Sequence, residues 1–265
     1  MEKINGGVGF FDSGIGGLTV LAECRKRIND EIFYYYGDNE HAPYGNLPAE
    51  AIKKFVFSAF DTFAALKVKA AVVACNTATA VCVEALRKKY PFPIVGAEPA
   101  VLPAVKRGGK VFVLTTRATY ESNRFRALCS RIRQKYPNAD IQPHACDLLA
   151  GTIEERLFDA SFDYTPFLPQ GSPDAVVLGC THYIYLKDRL RAFYGCEIFD
   201  GNEGMANRLV AFLDQINVKA REDGPLLSTA AKISPIFFLG SQKNTNERVF
   251  EHMFAKTSGF CNKSG

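Results

Sequence analysis

The sequence predicts an α/β protein of two pseudo-symmetric lobes. Each is a mainly parallel sheet flanked by helices, with the active site in the cleft between them. Three observations carry this. Short apolar strands alternate with helical stretches along the chain, the pattern of a parallel sheet covered on its faces. The alternation comes in two series with no low-complexity linker between them, so the lobes pack directly. Finally, the buried strands at 71–77 and 175–182 resemble each other: each delivers a cysteine and hydroxyl-bearing neighbours to a helix start.

The elements follow in order. Residues 8–11 are a short apolar strand, and Gly14, Gly16 and Gly17 form the turn into a helix over 18–28. A strand dense in aromatics, 32–36, ends at Gly37-Asp38. The stretch 49–66 has helical periodicity, with Ile52, Phe55, Val56, Ala59, Phe60 and Phe63 apolar. A strand at 70–74 precedes a helix at 78–89, and 94–96 is a brief strand before a Pro-flanked turn. The second series has strands at 110–114, 139–142, 175–178 and 198–199. Its helices are expected at 119–135, 154–158, 184–193 and 203–217. A last strand, 236–239, leads to a helix at 244–255.

Composition narrows the class. Apolar residues make up 47% and charged residues 23% of 265 residues, with a net charge of +4, as in ordinary globular proteins. The longest apolar stretch, 70–83, falls short of the roughly 20 residues that span a bilayer. Lys3 is followed by an apolar run broken at once by Asp12, which is no secretory signal. The cytoplasm is the expected compartment, and the eight cysteines are expected to be free thiols there. No C-x-x-C occurs and the four histidines are scattered, so no metal site is expected. The basic runs at 25–27, 87–89 and 106–107 read as solvated helix C-termini rather than a nucleic-acid patch.

In open α/β sheets, ligands bind at the carboxyl ends of the strands. Those ends carry Asp12-Ser13, Asp38, Cys75-Asn76-Thr77 and Cys180-Thr181-His182. A helix N-terminus offers free N–H groups and partial positive charge, which bind a carboxylate and favour a thiolate. Cysteine is also a common buried apolar residue. Either Cys75 or Cys180 alone reads as inert packing; both at matched strand ends read as a pair. Cys24, Cys82, Cys129, Cys146, Cys196 and Cys261 lack that context and read as packing.

The glycine loop also admits a dinucleotide reading. Gly14-Ile15-Gly16-Gly17-Leu18-Thr19 nearly matches G-x-G-x-x-G, and Asp38 ends the next strand, about where a ribose-binding acid would lie. Thr19 in place of the third glycine and the charge of Asp12 beside the loop count against it. A tight turn with close helix–strand packing explains the glycines equally well.

Taken together, Phe11-Asp12-Ser13-Gly14-Ile15-Gly16-Gly17, Gly37-Asp38 with Pro43-Tyr44-Gly45, Ala74-Cys75-Asn76-Thr77-Ala78 and Leu178-Gly179-Cys180-Thr181-His182-Tyr183 resemble the glutamate racemases of the aspartate/glutamate racemase superfamily. The motifs occur in the family's order over most of the chain. The stretch 146–154 resembles, more loosely, the segment ending in a functional glutamate, which makes Glu154 the matching position. Asp147 and Gly151 depart from its usual apolar and proline character, and Ile184-Tyr185 replaces the Pro-Leu that commonly follows His-Tyr.

The resemblance implies cofactor-independent racemisation of L-glutamate to D-glutamate for peptidoglycan. One thiolate removes the α-proton and the opposite thiol returns one. It implies Cys75, Cys180, Asp12, His182 and Glu154 as catalytic residues, with Asp12 serving Cys75 and His182 serving Cys180. It implies Asp12, Ser13, Tyr44, Gly45, Asn76, Thr77, Thr119, Thr181 and His182 around the substrate. Thr116 and Thr119 follow the first strand of the second series; Thr119 would touch substrate or merely cap its helix. Asp38 is a site residue or only a loop residue. The Cys75 lobe is expected to comprise 1–95 plus 210–265, and the Cys180 lobe 96–209. A homodimer is expected, with no nucleic acid or membrane as partner. An aspartate racemase, a nucleotide-dependent oxidoreductase and a non-catalytic amino-acid-binding module remain the alternatives.

Overall fold

The computed structural model describes residues 6–28, 31–222 and 234–254, so Cys261 lies outside the described residues. Two sheets form, and every strand pairing within them is parallel. In chain order the first series comprises β1 (Val8–Asp12), α1 (Leu18–Arg25), β2 (Phe33–Gly37), α2 (Ala49–Ala65), β3 (Ala70–Val73), α3 (Asn76–Lys89) and β4 (Ile94–Gly96). Next come α4 (Val101–Arg107), β5 (Lys110–Thr115), α5 (Arg117–Glu121), α6 (Asn123–Lys135), β6 (Asp140–Ala145), α7 (Leu149–Arg156), β7 (Ala175–Gly179), α8 (Lys187–Tyr194) and β8 (Glu197–Phe199). The chain closes with α9 (Asn202–Glu222), β9 (Ile236–Leu239) and α10 (Lys243–Phe254).

The first sheet has the order β4-β3-β1-β2-β9 and the second β6-β5-β7-β8. The central strands β1, β3 and β7 are buried along their whole length. That suits continuous apolar runs with helices on both faces. In β2 the pattern alternates: Phe33 and Tyr35 point into the core below α1 and α9, while Tyr34 and Tyr36 face the α2 side. Helix α2 buries Ile52, Val56, Ala59, Phe60 and Phe63, one stripe at helical spacing. Helix α9 packs along α1 and against β3 and β4. The basic runs at 87–89 and 106–107 sit in the last turns of α3 and α4, and the run at 25–27 begins at the last residue of α1 and continues past its end.

The structure differs most from the sequence-based elements in three places. The Pro-flanked turn expected after 94–96 leads into a helix, α4. Pro103 falls in its first turn, where an N–H has no intrahelical partner to lose. The single helix expected over 119–135 is two. Ser122 leaves the helical region (φ −70°, ψ 141°), and its hydroxyl accepts the Phe125 amide at 3.1 Å to start α6. The helix expected at 154–158 is α7, which runs from Leu149 to Arg156.

Candidate active site

The first sheet delivers Asp12 and Cys75 side by side. Strands β1 and β3 are neighbours, with Phe11 in register with Val73. Asp12 is fully buried. Its carboxylate accepts the Gly14 amide at 3.0 Å and the Thr181 hydroxyl at 3.1 Å. Burial pushes its pKa up to about 6, against the opposing pull of His182, Gly14 and Thr181. Cys75 is the N-cap of α3, its sulfur accepting the Ala78 amide at 3.4 Å. Its thiol lies 3.5 Å from the Ser13 hydroxyl. Burial, then the Asp12 charge, push its pKa to about 12.

The second sheet delivers a different arrangement. Strand β7 ends at Gly179, and Cys180 follows, buried. His182 Nδ1 lies 3.7 Å from the Cys180 sulfur, and Nε2 lies 2.6 Å from Glu154 Oε1. Burial opposes the charged imidazole, but Cys180 and Glu154 outweigh it and hold its pKa well above the ordinary histidine value. Tyr183 anchors this turn from below, donating to the carbonyls of Cys146 at 3.0 Å and Thr115 at 3.3 Å.

The glycine loop is where the two lobes meet. Glu154 Oε1 also accepts the Ile15 amide at 3.0 Å. A β-carbon at Gly14 would collide with the Glu154 carboxylate, and one at Gly16 with the Thr181 hydroxyl and the His182 backbone amide. Neither glycine has positive φ. Their requirement is close approach between lobes, and the room a pyrophosphate would need is filled by the second lobe.

Contacts between the lobes join several of the remaining site residues. Thr77, Thr116 and Thr119 share hydroxyl contacts: Thr77 Oγ1 is 2.9 Å from that of Thr116 and 3.4 Å from that of Thr119. It is Thr116 that caps α5, accepting the Thr119 amide at 3.3 Å. Asp38 receives the Tyr44 hydroxyl at 2.5 Å and lies 2.8 Å from His41 Nδ1, so it fixes the 38–46 loop. Gly45 in that loop lies against Thr116. Asn76 opens α3 beside Cys75. The site residues named from sequence thus fall on two connected rims, one per sheet.

Two contributors escaped the sequence reading. Tyr35 donates to the Gly14 carbonyl at 2.6 Å and Tyr185 to the Ile15 carbonyl at 2.7 Å. Period-two alternation marks Tyr35 as inward-facing; no local signal marks Tyr185. Among the described residues, no group of three or more His, Cys, Asp or Glu could hold a metal ion. None of their helices is long and apolar enough to cross a membrane.

Known proteins share this sequence family and this fold. The Asp/Glu/Hydantoin racemase family model matches residues 19–209. A glutamate racemase of Clostridium botulinum is 37% identical over 227 residues, covering 82% of this chain and 87% of the relative. One from Clostridium kluyveri is 36% identical over 235 residues, covering 84% and 90%. The structure of Francisella tularensis glutamate racemase in complex with D-glutamate superposes with a TM-score of 0.74 at 26% identity, covering 97% of this chain and 95% of that one. The Escherichia coli enzyme, in complex with L-glutamate and the activator UDP-MurNAc-ala, gives 0.75 at 27% identity, covering 93% and 94%. The chain therefore belongs to the Asp/Glu/hydantoin racemase family, among its glutamate racemases.

Proposed function

We propose that this protein interconverts L- and D-glutamate, with Cys180 and Cys75 working on opposite faces of the α-carbon. The observation that carries the reading is the unequal setting of two buried thiols. Cys180 lies beside a buried imidazole that holds its proton. Cys75 lies near a carboxylate and is held as a thiol. Unlike surroundings of this kind are what a base on one face and an acid on the other require.

In the L-to-D direction the Cys180 thiolate takes the α-proton. The C–H bond breaks, an S–H bond forms, and the electron pair is left on the α-carbon and its carboxylate. The Cys75 thiol then gives its proton to the opposite face. Asp12 and His182 restore the two sulfurs by proton exchange, and the D-to-L direction reverses the roles. Glu154 accepts a hydrogen bond from His182 and steadies its charge. The α3 N-terminus, with Asn76, Thr77 and Thr181, supplies donors for the developing carboxylate charge. Ser13, Tyr44, Gly45 and Thr119 complete the pocket, the threonine hydroxyls exchanging one another for substrate.

The chemistry calls for two thiols and an anion site, and for no cofactor. The lobe carrying Cys75 is taken as 1–95 with 210–265 and that carrying Cys180 as 96–209; the addition of β9 to the sheet of β1 to β4, beside β2, supports this. A cytoplasmic homodimer supplying D-glutamate for peptidoglycan is the accompanying reading. A circular-dichroism assay with L-glutamate and L-aspartate tests the function. Loss of signal from L-glutamate alone, surviving dialysis against EDTA, is expected. Turnover of aspartate only, or of neither, contradicts it.

A further inference from the structure

We propose that Tyr185 is a positioning residue which, with Glu154, clamps the Ile15 peptide from the second lobe and so holds the Asp12 turn in its working geometry. This rests on the racemase reading for its catalytic consequence, though the clamp stands on contacts alone. The Ile15 N–H donates to Glu154 Oε1 at 3.0 Å, and the Ile15 carbonyl accepts the Tyr185 hydroxyl at 2.7 Å. One peptide unit on either side of a single α-carbon is thus gripped by two side chains 31 positions apart in the other lobe.

The segment from Cys180 to Tyr185 makes two reaches across the seam: Thr181 donates to the Asp12 carboxylate and Tyr185 to the Ile15 carbonyl, while His182 holds Glu154 within its own lobe. With the bond from the Ile15 amide to Glu154, these contacts converge on residues 12–15. Inside the first lobe, the Gly14 amide binds Asp12 and the Gly14 carbonyl accepts Tyr35 at 2.6 Å. Tyr35 therefore holds the turn from its own sheet and Tyr185 from across the seam. The Tyr185 ring packs against one apolar core of each lobe. Burial and the charges of Glu154 and Asp12 keep its phenol protonated well above the ordinary range, so it stays a donor. It stands where the resemblance places a leucine, a side chain with no hydroxyl to donate.

The consequence lies at Asp12. Without the Tyr185 hydroxyl the 15–16 peptide loses its anchor, the turn loosens, and the Gly14 amide, two peptide units back, holds the carboxylate less well. The groups facing Asp12 are the Gly14 amide, His182, Glu154, Thr181, Cys75, Tyr35, Tyr44 and Tyr185. Of these bonds, the amide and the Thr181 hydroxyl favour its ionised form.

The experiment compares wild type, Tyr185→Phe and Tyr185→Leu by amide hydrogen exchange and by the pH dependence of kcat/KM. In Tyr185→Phe, exchange at Gly14 and Ile15 is expected to speed up by roughly tenfold while β3 and β7 hold. The value of kcat/KM is expected to fall roughly three- to tenfold, the weight of one hydrogen bond. The acid limb moves to higher pH and the basic limb stays. Tyr185→Leu is expected to share the moved limb and to differ in melting temperature. Unchanged exchange at 14–15 with an unchanged profile overturns the clamp. So does a uniform loss of protection across both sheets with the acid limb in place, which marks Tyr185 as packing only. If wild type fails to racemise glutamate, the functional reading falls and the exchange arm alone still decides the clamp.

Discussion

The Thr181 hydroxyl donates to the Asp12 carboxylate at 3.1 Å. The residue after one cysteine is thereby tied to the acid whose charge bears on the other. The two halves of the site are cross-wired, and protonation on one side is set partly by the other lobe.

That link shapes the pH dependence. L- and D-glutamate are equally stable, so kcat/KM must be the same in both directions and share one profile. The profile is expected to be a bell, because one sulfur must be charged and the other protonated. Its acid limb is expected near 6, where Asp12 titrates in the free enzyme. Thr181→Val removes a bond that favours the ionised carboxylate, so the limb should move upward and activity fall roughly tenfold or more. Rates measured from pH 5 to 10 that climb without falling would mean that one base is enough.

Asp12 also carries a stability cost. Its ordinary value is 3.8 and its folded value about 6. Between these the folded state binds more protons than the unfolded, so this group's contribution to stability falls as pH rises through that window. The full effect is about 3 kcal/mol. Asp12→Asn abolishes it. The stability of Asp12→Asn relative to wild type should therefore grow from pH 4 to pH 8, while racemisation falls by roughly 10² to 10⁴. Denaturant titrations at the two pH values check this; a constant difference contradicts it.

Gly16→Ala should separate the lobes. The new methyl meets the Thr181 hydroxyl and the His182 amide, and overpacking of this kind costs about 1–3 kcal/mol. Activity should fall more than stability, by roughly a hundredfold, because reacting groups are displaced by a fraction of an ångström or more. An active variant of unchanged melting temperature would show that the lobes do not need this approach.

Much of the fold was legible because burial on both faces writes itself as plain apolar runs, as in β1, β3 and β7. The ends of those strands exposed Asp12, Cys75 and Cys180, since strand ends are where polar residues interrupt apolar ones. Helix α4 was not legible, because Pro103 reads as a breaker unless its place in the first turn is known. The glycine loop was ambiguous: its spacing fits phosphate binding, and only the approach of Glu154 and Thr181 shows what fills it. Neither Tyr35 nor Tyr185 was assigned a role from sequence. Which phenol reaches a carbonyl is decided by a contact across 21 residues in one case and 170 in the other, and no local pattern carries that.

The two-sided site is tested most directly by racemising L-glutamate in D₂O and following both enantiomers at early times. The D-glutamate formed should carry deuterium from the first turnover, because a solvent-exchanged Cys75 thiol protonates the far face. Recovered L-glutamate should remain nearly unlabelled, because its own proton returns from Cys180 before it exchanges. Recovered substrate that labels as fast as product would mean that a single base serves both faces, and the pairing of Cys75 with Cys180 would be wrong.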